Sequence, residues 1–259
     1  MQLIIEHRTR LDFESPVDYT IQELHLTPLD GFGQRVKRWE IRVNGKMQPH
    51  ADPYGNLAHT LVVEGAHRSI EITAGGEVET DLDTPPPADR LPLPVYLRST
   101  ALTETSPDML DFARRFGTAG GGLDSAGLHA LMRAVRERVA FDAEAKSGSA
   151  AAAFAAGRGD SAAQTHVFIA CCRSLGVPAR FVSGYLFSAS RRMVSNHAWA
   201  DAWLGDGWCS FDITSGLRTN GIHVRLAAGL DARDASPVSP GRPQAAASSS
   251  FRVQTQAQQ

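Results

Sequence analysis

A chain of 259 residues with 42% hydrophobic residues can bury one large core or two smaller ones, which excludes disorder throughout. Lys and Arg number 26 against 28 Asp and Glu, a net charge of -2, so charge points neither to nucleic acid nor to an acidic tail. Three cysteines, Cys171 and Cys172 adjacent and Cys209 apart, argue against a disulfide framework. The first residues, Met1 to Glu6, become charged too early for a secretory signal, and no apolar run reaches the ~20 residues of a membrane span, so a cytoplasmic setting without membrane contact is expected.

From the N-terminus, short extended segments separated by turn signals run over Leu3 to Phe13, Tyr19 to Leu26, Val36 to Val43, Thr60 to Val63 and Ile70 to Val78. Around Trp39, Ile41 and Val43 apolar residues alternate with charged ones, which predicts an antiparallel sheet with one buried face and a sandwich-like domain to cover it. Five prolines between Thr84 and Pro94 mark a boundary.

Beyond the boundary, Ser106-Pro107-Asp108 sets an N-cap and an N1 proline before a helix over Met109 to Phe116. Leu128, Leu131, Val135 and Val139 predict a second helix after a glycine-rich break from Gly117 to Gly122, and Ser149 to Ala156 reads as a third helix or a loop. Ser161 to Leu175 is apolar almost all round, which predicts a buried helix ending at Gly176. Strands then follow over Arg180 to Phe187, His197 to Leu204, Trp208 to Ile213 and His223 to Ala227. The expected organisation is a β domain over 1–84, a proline-rich linker over 85–99, an α+β core over 100–233, and a tail over 234–259. In the tail, alternation at Phe251, Val253 and Thr255 suggests an edge strand after a connection from Asp234 to Ala247.

None of the nine histidines stands in a zinc-ligand spacing, and no acidic loop has the alternate ligands of a calcium site, so neither metal nor cofactor is expected. Gly157-Arg158-Gly159-Asp160 lacks the Lys-Ser/Thr of a phosphate-binding loop. Ser161-Ala162-Ala163-Gln164 reads locally as a capping box, the hydroxyl accepting at the third helical N–H and Gln164 reaching back.

Two strands, His197 to Trp203 and Trp208 to Asp212, are joined by Gly205-Asp206-Gly207. A two-residue type II′ loop would pair Leu204 with Gly207 and place His197 and Asp212 on one face; a three-residue loop would put them on opposite faces. Under the first register Cys209 points away from Asp212.

The order of a helix holding Val167-Phe168-Ile169-Ala170-Cys171-Cys172, then Gly176-Val177-Pro178-Ala179-Arg180, then His197-Ala198-Trp199, Trp208 and Phe211-Asp212, resembles the bacterial transglutaminase-like superfamily. His223-Val224-Arg225 with Asp231 is similar to the family's closing segment. His7-Arg8-Thr9-Arg10, Leu26-Thr27-Pro28 and Asp52-Pro53-Tyr54-Gly55-Asn56 resemble its preceding β domain.

The resemblance implies a papain-like core with helices packed on an antiparallel sheet, and a nucleophile-His-Asp triad that transfers an acyl group from a peptide or protein amide. Hydrolysis, as by a protease or amidase, and crosslinking are both open. It places the histidine on His197, the aspartate on Asp212 and the nucleophile, seven residues before Phe168, on Ser161, where the family has cysteine. A serine gains little from a helix dipole and needs His197 as base throughout. An active serine variant, a binding module that keeps the cleft without turnover, and an engineered replacement all remain open. His166, Trp199 and Asp160 are candidate cleft residues, with a core role for His166, aromatic packing for Trp199 and a helix cap for Asp160 as the plainer alternatives. Cys171 and Cys172 lie about 15 Å along the helix from its start and are expected to be core. For an oxyanion hole only the Ser161 backbone N–H can be named.

Overall fold

The computed structural model describes residues 1–117, 123–145, 148–239 and 245–256. The predicted glycine-rich break beyond Gly117, residues 240–244 of the predicted connection and the last residues of the tail, 257–259, lie outside the described residues.

The first third of the chain, to Thr80, is one antiparallel sheet. Strand β1 (Gln2–Leu24) pairs along most of its length with β4 (Leu57–Thr80); β2 (Gln34–Val43) and β3 (Lys46–Ala51) pair with opposite halves of β4. The two long strands unite segments that read as separate in the sequence. Register shifts between Asp12 and Tyr19 bend β1 where Glu14-Ser15-Pro16 interrupts the ladder. The sheet halves close over a shared core of Leu11, Leu24, Leu61, Val63 and Ile72, with Trp39 and Ile41 packed against it. This makes the domain sandwich-like. Strand β12 (Ala246–Gln256) returns from the C-terminus and pairs with residues 2–12 of β1, so the last strand of the chain borders the first.

After a linker holding one 3-10 turn (Leu93–Leu97), the core begins with α1 (Pro107–Arg114), capped by Ser106, and α2 (Ser125–Arg138), capped by Asp124. Short β5 (Ala140–Phe141) and β6 (Arg158–Gly159) pair in parallel on either side of α3 (Ala150–Ala156). The central helix α4 (Ser161–Ser174) follows at once. Every residue from Ala163 to Arg173 is buried, because α1, α2 and α3 cover one side and a sheet the other.

That sheet runs in the order β10 (Leu217–Arg218), β9 (Gly207–Asp212), β8 (Met193–Leu204), β7 (Ala179–Ser188), β11 (His223–Gly229). Ala198, Ala200, Ala202, Phe181 and Phe211 face α4. Further along the strands, Tyr185, on the same face as Phe181, joins Val224 and Leu226 in packing against Leu3, Ile5 and Val78 of the N-terminal sheet.

Two polar devices fix the assembly. Buried Arg173 donates to the carbonyls of Tyr96, Ala179 and Leu230 and to Thr103 Oγ1 at 2.7–3.2 Å, tying linker and sheet to the end of α4. Burial lowers its pKa to about 10, so the guanidinium stays charged. The turn Asp52 to Asn56 docks on β11, where Asn56 exchanges hydrogen bonds of 2.7 and 2.8 Å with the Ala228 backbone. None of the described helices is long and apolar enough to cross a membrane.

Candidate active site

Helix α4 starts differently from its local sequence reading. Asp160 is the N-cap, its Oδ1 accepting from the Ala163 N–H at 2.8 Å, and Ser161 is the first helical residue. The predicted capping box does not form. Gln164 instead donates to the Val139 carbonyl at 2.8 Å and accepts from Thr214 Oγ1 at 2.7 Å, because the buried side of α4 offers those partners. Ser161 is thereby released from capping and lines a cleft of about 350 Å³ with Asp160, Phe141, Phe181, Asn196 and His197.

The β8–β9 hairpin takes the two-residue loop, with Leu204 opposite Gly207 and Gly205 at φ 65°, the position a type II′ turn reserves for glycine. In this register His197 Nε2 lies 3.0 Å from Asp212 Oδ1, an ion-pair contact out of line for a directed hydrogen bond. Nε2 is turned to the carboxylate, and Nδ1 has no part in that contact. Burial pushes the Asp212 carboxyl up, but contacts from His197 and His223 outweigh this and hold it well below the usual carboxylate range. The Ser215 N–H also donates to Oδ1, at 3.2 Å.

His166 and Trp199 do not line this cleft. Five residues from Ser161 turn a helix by roughly 140° beyond a full revolution, so His166 faces the segment after β11, where Nε2 accepts from the Ala232 N–H at 3.1 Å. Burial lowers its pKa to about 4, which keeps it neutral. Trp199 shares the face of His197 but sits further along β8, fully buried over Gly184 and edge-on to His223. Asp160 is at the cleft, as cap and wall together.

Cys171 and Cys172 are buried, with the Cys171 thiol pushed up to about 12 and that of Cys172 well above its ordinary value by desolvation. Cys209 packs against the helical core on the other face of β9 from Asp212.

Sequence reasoning passed over two elements. The far wall of the cleft, Ala232 and residues 235–237, is held by the N-terminal domain. His25 takes the Pro237 carbonyl with its backbone N–H at 2.9 Å and the Ser236 carbonyl with Nδ1 at 3.1 Å, and Tyr54 donates to Asp234 at 2.6 Å. The second is His223, whose Nε2 meets Asp212 Oδ2 at 3.1 Å. Only its place in the family-like closing segment hinted at it.

His197, Asp212 and His223 bring candidate metal-ligand atoms within 4.8 Å of one another. They do not fit a metal. The His223 Nδ1 accepts from the Asn220 N–H at 3.2 Å, so the ring proton is on Nε2 and that atom has no lone pair for a cation.

Residues 3–79 match the family of the bacterial transglutaminase-like N-terminal region, and residues 111–213 match the transglutaminase-like superfamily core. The chain belongs to the transglutaminase-like superfamily, with a papain-type core behind its N-terminal β region. It is 24% identical over 265 residues to an uncharacterized protein of Mycobacterium leprae, covering 90% of each chain. A second uncharacterized relative, from Mycobacterium tuberculosis, is 24% identical over 269 residues, covering 90% of this chain and 85% of the other. Among solved structures, a candidate cysteine protease from Cytophaga hutchinsonii superposes with a TM-score of 0.81 at 19% identity, covering 100% of this chain and 92% of that one, a likeness of fold.

Proposed function

We propose that the cleft carries out acyl transfer at a peptide or protein amide, through Ser161, His197 and Asp212. The observation that carries this reading is the buried His197–Asp212 pair, 3.0 Å apart, beside the cleft that the first residue of α4 lines. The Ser161 Oγ attacks the carbonyl carbon as His197 Nδ1 takes its proton. Asp212 holds the ring and balances the imidazolium, and the proton passes to the departing amine. Water or a second amine then resolves the acyl ester, giving hydrolysis or crosslinking. The N–H groups of Ser161 and Ala162, which have no acceptor within the helix, are the backbone donors that the start of α4 offers a forming oxyanion. The lining is mostly small or apolar, and Phe141 stands half exposed at the cleft, which favours an apolar residue beside the scissile amide. Three free thiols accord with a reducing, cytoplasmic setting.

A second reading is favoured by one observation, the serine at a position built for a thiolate: a module that holds a peptide without turning it over. A serine-directed phosphonate separates the two. Acyl transfer requires a covalent adduct on Ser161, seen by intact mass and lost in His197→Ala. Binding without chemistry leaves the chain unlabelled, and a Ser161→Cys chain would then react with iodoacetamide only near the ordinary thiol pKa of about 8.5.

A further inference from the structure

We propose that His223 is a positioning residue of this site: a second imidazole that clamps the far oxygen of Asp212 so that the near oxygen is presented to His197. The proposal rests on the triad reading above and adds a fourth group to it.

The two histidines take opposite oxygens of one buried carboxylate. His197 Nε2 lies 3.0 Å from Oδ1 and His223 Nε2 lies 3.1 Å from Oδ2. Their roles differ because their other nitrogens differ. In His223, Nδ1 accepts the Asn220 N–H at 3.2 Å, while the His223 N–H donates to the Asn220 carbonyl at 3.0 Å. This small ring of contacts fixes the tautomer: Nε2 carries the proton and donates it to Asp212. Having no free acceptor, His223 is not a second base. It is a neutral donor, and it leaves the negative charge of Asp212 to be balanced by His197 when that ring is protonated.

The location supports a dedicated role. Strand β11 is separated from β9 by β8 and β7, so no local pairing brings His223 to Asp212. The ring reaches across, resting edge-on against Trp199 with centroids 5.3 Å apart. The room for this arrangement comes from Gly184, where a side chain would overlap both the Trp199 ring and the Val224 carbonyl. A carboxylate held at one oxygen can rotate about its χ2. Held at both, and by the Ser215 N–H at Oδ1, it cannot turn away from the imidazole.

The test uses the full chain with Ser161→Cys, reading the rate of alkylation by iodoacetamide against pH. An imidazolium held by Asp212 keeps the thiol ionised below its ordinary pKa, so the midpoint of the profile reports the carboxylate's hold on His197. In this background His223→Phe is expected to raise the midpoint by about one pH unit, the scale of a lost hydrogen bond to a charged group. His223→Gln, whose amide can still donate to Oδ2, should restore most of the shift. On top of Asp212→Asn, His223→Phe should add nothing. If His223→Phe does not give a cooperative unfolding transition, His223→Asn, too short to reach Oδ2, takes its place against His223→Gln.

An unchanged midpoint in His223→Phe, with a moved one in Asp212→Asn, overturns the proposal and leaves the triad standing. A shift of equal size with and without Asp212→Asn also overturns it, since His223 would then act on the fold at large. A midpoint unmoved by Asp212→Asn and by His197→Ala alike sinks the triad and this inference with it.

Discussion

The Asp160 carboxylate accepts the Ala163 N–H at 2.8 Å and so caps α4 in place of Ser161. One residue of offset separates the work of capping the helix from the chemistry proposed at its first turn. Asp160→Ala should therefore lower stability by about 1 kcal/mol, the usual worth of an N-cap, whereas Ser161→Ala should stay within about 0.5 kcal/mol of the parent. Urea unfolding of the two variants checks this, and equal losses would return the cap to Ser161.

Buried His25 links the cleft wall to the N-terminal domain and titrates with Asp52. Burial works against the charged ring, but Asp52, 3.4 Å from Nε2, and the Ser236 carbonyl raise its pKa above the ordinary histidine value. Burial likewise opposes the Asp52 charge, and His25 and Asn56 lower its pKa nonetheless. A raised histidine pKa stabilises fully below the unfolded value near 6.5 and fades as pH climbs through the folded one. A depressed carboxyl pKa stabilises above its unfolded value near 3.9 and fades as pH falls through the folded one. The pair's contribution should thus be largest between about pH 4 and 6.5. Against His25→Gln, the parent's unfolding temperature should drop more from pH 6 to pH 8.5. Parallel curves would contradict this. Neutral buried His7 and His166 are common to both chains and cancel from the difference.

Gly184 lies opposite His197 across β7 and β8. A Cβ there would overlap Trp199 and the Val224 carbonyl, so Gly184→Ala should cost about 2 kcal/mol by overpacking and displace the rings of Trp199 and His223. Chemical denaturation gives the first quantity and tryptophan fluorescence the second. A variant as stable as its parent, with an unchanged spectrum, would mean that the approach is looser than described.

Arg173 is the one donor shared by the Tyr96, Ala179 and Leu230 carbonyls. Arg173→Met matches the apolar stem and leaves those acceptors stranded, with an expected loss of at least about 3 kcal/mol. Arg173→Lys should recover only part of it, since an ammonium lacks the planar fork. Guanidinium unfolding midpoints rank the three chains, and a near-neutral methionine would show that water replaces the guanidinium.

The strands, the helices and their order were legible because each carries its own signal: alternation around Trp39, Ile41 and Val43 in β2, turn residues between the extended segments, a cap and proline at Ser106-Pro107, and an unbroken apolar run in α4. The hairpin was legible as a choice of two registers, and the two-residue loop that places His197 and Asp212 on one face is a finding of the structure. Local reading failed at Ser161-Ala162-Ala163-Gln164. There the choice of cap lay between neighbouring residues of equal aptitude, and the partners of Gln164, Val139 and Thr214, are 25 and 50 residues away. His166 was drawn to the cleft by the family resemblance and Trp199 by sharing the strand face of His197, and packing turned both elsewhere.

By itself the sequence determined the kinds of element and their succession, because propensity and periodicity are written locally, while the proposed Ser161, His197 and Asp212 came from the family resemblance. Only the tertiary structure decided that Asp212 stands between two histidines, that His25 and Tyr54 of the first domain hold the wall of the second domain's cleft, and that Arg173 spends its charge on backbone carbonyls. Each of these joins atoms separated by intervening strands or by a whole domain, and burial fixes which of many polar groups must find one another.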